Sequence, residues 1–70
     1  DADGELTAAL VLARRRRLGP FRAGGHPDEA GARRERGILA RAGFPQGVAS
    51  RALGMARDEA ESYANRLRQG

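Results

Sequence analysis

The side chains that usually carry catalysis are sparse in this chain. Cysteine is absent, and histidine occurs once, as His26 in the glycine-rich stretch "AGGHP". A lone histidine gives a metal no second soft ligand, so no structural or catalytic metal is expected. Ser50 and Ser62 have no evident base partner, which leaves neither set up as a nucleophile. The carboxylates gather at helix starts, among them Asp3, Glu5, Asp28, Glu29, Asp58 and Glu59, where exposed backbone N–H groups explain them. Gly24 and Gly25 lack the Lys-Ser or Lys-Thr that follows in a phosphate-cradling loop. The expectation is a protein that is not an enzyme and takes no cofactor and no small-molecule substrate.

What remains is recognition by guanidinium groups. All 13 basic residues are arginine, against nine acids, for a net charge of +4 and a pI near 11.3. A GC-rich coding sequence is the bland reason for arginine over lysine. The planar guanidinium nevertheless suits phosphate and carboxylate, and the excess of positive charge points to an acidic partner. Arg14, Arg15, Arg16 and Arg17 form a continuous run, and Arg22 makes five cations within nine residues. Arg33, Arg34, Arg36 and Arg41 follow on the next predicted helix. If those two helices are antiparallel neighbours, the clusters join into one basic surface. The candidate partner-binding residues are therefore Arg14, Arg15, Arg16, Arg17, Arg22, Arg33, Arg34 and Arg41. The plainer reading of any charge run is a solvated helix end.

The elements that must hold these arginines are helical. With 70 residues the chain is one domain at most, and its core is marginal. It begins at Asp1 rather than methionine, and a piece of a longer protein is expected. No apolar run approaches the roughly 18 to 20 residues that cross a bilayer, and no signal peptide is visible. The cysteine-free composition fits the cytoplasm, which is the expected location. Valine and isoleucine occur only at Val11, Ile38 and Val48, so strands are not expected.

Helix one is "GELTAALVLARRRRL", with Asp3 as N-cap and Leu6, Leu10 and Ala13 on one face. Val11 and Leu12 fill other sides, which predicts burial on more than one side. Gly19 and Pro20 stop it, and Phe21 folds back as the anchor of the connector. Helix two is "DEAGARRERGILARA", with its apolar residues Ile38, Leu39 and Ala42 near its end and Gly43 as the terminating glycine. Pro45 opens a short helix three at its first position, with Val48, Ala49, Ala52 and Leu53 inward and Phe44 wedged in the turn. Helix four, "RDEAESYANRLRQ", carries Ala60, Tyr63, Ala64 and Leu67 on one stripe. The predicted fold class is all-α: a small three-helix repeat with a helix-turn-helix-like corner over residues 1–54. A C-terminal helix within 55–70 packs on it or extends from it.

The corner "RAGFPQGVASRALGM" also suits a helix-turn-helix DNA-binding domain of a transcription regulator. Only Gln46, Ser50 and Arg51 are offered on the outer face of helix three, a thin set for reading bases.

The segments "ALVLARRRRLGPFR" and "RRERGILARAGFPQGVASRAL" together resemble one repeat of the RecX family, over roughly residues 6–53. The "RAGF" turn and the "VASRAL" helix carry the likeness, along with the order of arginine run, "GPFR" and "RAGF". Pro45 departs from the serine usual after the Gly-Phe pair, and the connector is long and glycine-rich. RecX proteins are bacterial regulators built from tandem three-helix repeats. The resemblance implies a module that binds the RecA recombinase filament on single-stranded DNA, most often inhibiting it, and so tunes DNA repair and the SOS response. It implies partner contacts by Arg14 to Arg17, Arg22 and Arg41, with Phe44 as a core anchor.

Overall fold

The computed structural model describes the backbone of residues 2–69 and the side chains of residues 3–66. It contains four helices: α1 (Ala2–Arg16), α2 (Glu29–Arg41), α3 (Gln46–Leu53) and α4 (Arg57–Gln69), with one 3-10 turn at Gly19–Phe21 after α1. Among the described residues there is no strand, and the all-α class holds.

α1 is the central element. It packs mainly on α3 and α4 and touches α2 only lightly, while α2 rests on α3. The nearly all-round apolar character of its first half has this cause. Leu6, Ala9, Leu10 and Ala13 are fully buried, and Val11 and Leu12 are half-buried against the same core. Leu39 is the one fully buried large side chain of α2, and Ala49 and Ala52 face inward from α3. Ala60 and Ala64 seat α4, beside a half-buried Tyr63; the Leu67 side chain expected on that stripe lies outside the described residues. Alanine at so many contacts lets helix backbones approach closely, and the few leucines supply most of the buried volume. Phe44 is partly buried against this core and Phe21 is buried in it, so both aromatic anchors lie where the sequence puts them.

Several boundaries shift. α1 starts at Ala2, which places Asp3 inside the first turn rather than at the cap. Asp28 caps α2, its carboxylate accepting the Gly31 N–H at 2.8 Å. Pro45 is the residue before α3 (φ −61°, ψ 153°), and its carbonyl accepts the first helical bond from Ala49 N–H at 2.9 Å.

α1 also ends earlier than its glycine. The reversal occurs at Arg17, which takes a left-handed conformation with φ 57°. Leu18 N–H then bonds the Ala13 carbonyl at 2.8 Å, and Arg17 N–H bonds that of Arg14 at 3.3 Å. This pair of backward bonds is the Schellman arrangement, and it drops Leu18 into the core beside Ala13. The end of α2 repeats it with glycine: Phe44 N–H bonds the Leu39 carbonyl at 3.1 Å and Gly43 N–H that of Ala40 at 3.0 Å, with Gly43 at φ 100°.

Gly19 has a different task. Its φ is 54°, and a Cβ there would lie 2.9 Å from the Leu53 Cα. It lets the 3-10 turn press against the end of α3.

Candidate functional site

The Schellman turn displays the arginine run. Arg15, Arg16 and Arg17 are exposed, and among the described residues no carboxylate pairs with their guanidinium groups. They stand at the negative end of the α1 dipole, where cations are favoured. Arg14 is half-buried, and its guanidinium donates to the Asn65 side-chain oxygen at 3.2 Å, tying α1 to α4.

Arg22 is not a free cation. Its Nε donates to Glu35 Oε2 at 2.8 Å and its Nη2 donates to Oε1, a bidentate pair. Gly19 N–H also donates to Oε1 at 3.2 Å, and Arg22 Nη1 reaches the Gly25 carbonyl at 3.4 Å. Glu35 is 7% exposed. The Arg22 hydrogen bonds hold its carboxyl below the ordinary carboxylate range, against the opposing effect of burial, with help from the Gly19 amide and the charge of Arg34. The same pairing raises the Arg22 guanidinium further. Arg22 therefore works inside the fold, binding the connector to the middle of α2, and it leaves the group of partner-facing candidates.

Glu35 was missed by the reading that assigned acids to helix starts. The signal available was its spacing: it lies four residues before the buried Leu39, on the inward stripe of α2. Its neighbours Arg33, Arg34 and Arg36 make the stretch look like a solvated face.

Arg33, Arg34 and Arg41 are exposed on α2, with the Arg41 guanidinium folded over Gly37, 3.6 Å from where a Cβ would stand. Arg36 makes an exposed contact with Glu29 at 4.0 Å, of the kind that contributes little. Helices α1 and α2 do not lie flat against each other, so the two basic groups do not merge through a shared helix face. They approach through the turn: Gly19, two residues after Arg17, touches Glu35, whose neighbours are Arg34 and Arg36.

A further cluster was not foreseen. Arg66 stacks over the Tyr63 ring at 4.5 Å, and Arg51 donates to the Tyr63 hydroxyl at 3.4 Å. Of the cations outside the predicted set, Arg51 is thereby engaged between α3 and α4 and Arg66 within α4. Arg57 pairs with Glu61 one turn along α4 at 3.3 Å.

α2, the Gly43 turn and α3 do form a corner, and Gln46, Ser50 and Arg51 are exposed on α3. Among the described residues no group of three or more His, Cys, Asp or Glu is placed to hold a metal. Among them, too, no helix is long and apolar enough to cross a membrane. Comparison with known protein families, with curated proteins and with solved structures finds no match to this chain.

Proposed function

We propose that this chain is a RecX-type regulatory module that binds the RecA filament on single-stranded DNA and restrains its recombinase activity. The observation that carries the reading is the exposed guanidinium cluster of Arg15, Arg16 and Arg17, without a carboxylate partner among the described residues, on a defined helix end. It stands beside the "GPFR" turn and the "RAGF" corner of the resemblance. A nucleoprotein filament offers both phosphates and acidic protein faces to such a cluster. In this reading the protein is a cytoplasmic binding module, not an enzyme, and it uses no cofactor, membrane or small-molecule substrate.

Fluorescence anisotropy on labelled oligo(dT) tests it, with and without RecA and a non-hydrolysable ATP analogue, over a salt series. The expected result is binding that strengthens when RecA coats the strand. On bare strand, three or four phosphate contacts at about −0.7 each give a log–log salt slope of about −2 to −3. Replacing Arg15, Arg16 and Arg17 by alanine flattens that slope and weakens filament binding while helicity stays intact. Equal binding by this variant refutes the role given to the cluster. Sequence-dependent binding to duplex DNA, with no response to RecA, favours the helix-turn-helix reading through Gln46, Ser50 and Arg51.

A further inference from the structure

Two hollows of about 370 Å³ each lie beside α2 and α3, one in the valley between the two helices and one walled also by the connector at Gly19, Arg22 and His26, and Arg36 borders both. From this valley we infer that the module seats an acidic, amphipathic helix of its protein partner between α2 and α3. The identity of that partner as RecA rests on the function proposed above.

The floor is apolar and low. Gly37 and Ala40 of α2 line one hollow with Ala49 and Gln46 of α3, and Leu53 and Ser50 of α3 line the other. Ala40 is exposed between the polar borders Arg33, Arg36 and Gln46, so its methyl is available to a partner. α3 has eight residues, about 12 Å at 1.5 Å per residue, which matches two turns of a docked helix.

The rim selects the partner's charge. Arg33 and Arg36 stand along the α2 edge, both exposed. The carboxylate of Glu35 also borders the valley, but its oxygens are bound by Arg22 and the Gly19 amide. The valley therefore presents net positive charge, from Arg33 and from an Arg36 only weakly held by Glu29 at 4.0 Å, over a floor of small side chains. An amphipathic helix with small apolar side chains below and carboxylates along its flank satisfies both features.

A phosphate backbone satisfies only the rim. It has no use for an apolar floor; the hollow beside Arg17 at the end of α1 is lined mostly by charged side chains (Arg14, Arg17, Arg57 and Glu61), with Phe21 and Ala23 beside them. The two basic regions thus divide the work: the end of α1 takes phosphates and the α2–α3 valley takes protein.

The test uses the whole chain in the anisotropy assay, on oligo(dT) alone and on oligo(dT) coated with RecA. The variants are Ala40→Gln, which fills the valley without adding charge, and the pair Arg33→Gln with Arg36→Gln. All three positions are exposed, and circular dichroism confirms the fold. Each variant is expected to bind the coated strand about tenfold more weakly, the loss of one strong contact. Ala40→Gln is expected to bind bare strand like the parent. Coated-strand binding by Ala40→Gln equal to the parent's overturns the valley while leaving the filament reading intact. An equal loss on bare and coated strand makes the valley a nucleic-acid groove and also overturns the inference. A parent chain that gains nothing from RecA removes the filament reading, and the assigned partner falls with it.

Discussion

Arg17 and Arg22 lie five residues apart and live in opposite worlds. Arg17 is exposed at the end of α1, held in a left-handed backbone conformation, with no carboxylate on its side chain among the described residues. Arg22 is drawn inward, forked onto a buried Glu35 that also takes the Gly19 amide. The contrast shows that a run of like residues in sequence is not a single surface in space. Where an acid on the inward stripe of a neighbouring helix can be reached, an arginine becomes part of the fold. Where none can, it stays exposed at the surface.

Substitution at Gly19 is the harshest way to break the locked side. A methyl there meets the Leu53 backbone, sits in a left-handed conformation and displaces the amide that feeds Glu35. Overpacking costs about 1–3 kcal/mol and the backbone strain about 1–2. Gly19→Ala is thus expected to lose about 2–5 kcal/mol, comparable to the roughly 3–5 kcal/mol that a core of this size supplies. Thermal denaturation followed by circular dichroism reads the loss. A melting temperature equal to the parent's means that the α3 contact at Gly19 is not tight.

That outcome bears on what the sequence made legible. The fold class and the inward face Leu6, Leu10 and Ala13 follow from helical spacing alone, because the central helix buries more than one side. Gly43 was legible as a helix terminator because glycine at a left-handed position is common. Arg17 was not, because arginine carries no such signal; the nearest glycine, Gly19, drew the assignment and serves a close approach instead. Glu35 was hidden for a tertiary reason. Its partners come from 13 and 16 residues away, and only the folded connector brings them to it. The reach of Arg51 to Tyr63 depends likewise on how α4 lies against α3, whereas Arg66 stacks on Tyr63 within α4 at a three-residue spacing.

Separating the charge of Glu35 from its shape gives the next largest effect. Glu35→Gln keeps the size but leaves the Arg22 guanidinium without its counter-charge, and Arg22→Ala leaves the buried carboxylate unpaired. Each is expected to cost about 1–3 kcal/mol, in the range for hydrogen bonds to charged groups. The double variant should cost less than the sum of the two. Acid does the same reversibly. Because pairing with Arg22 lowers the folded-state carboxyl, its contribution is complete above the ordinary carboxylate value of about 4.3. It is lost as the pH falls through the lowered value. Urea midpoints measured from pH 6 downward should drop in the parent more than in Glu35→Gln. Parallel pH profiles would show that the pair contributes no net stability.

The smallest effect separates folding from recognition at Arg17. A non-glycine residue in the left-handed region costs about 1–2 kcal/mol. Arg17→Gly relieves that strain, at the cost of a more flexible unfolded chain and of a cation near the negative end of α1. The net gain expected is about 0.5 kcal/mol, a rise of a few degrees in melting temperature at this size. Gly43→Ala is the mirror experiment: nothing lies within 4 Å of a Cβ there, so its loss of about 1 kcal/mol measures the backbone conformation alone. Arg17→Gly should at the same time weaken binding to single-stranded DNA and reduce its salt slope by about 0.7. Stability that rises while binding falls means that Arg17 is tolerated in a strained turn for the sake of its exposed guanidinium. Stability and binding that fall together would place Arg17 beside Arg22, among the arginines that hold the fold.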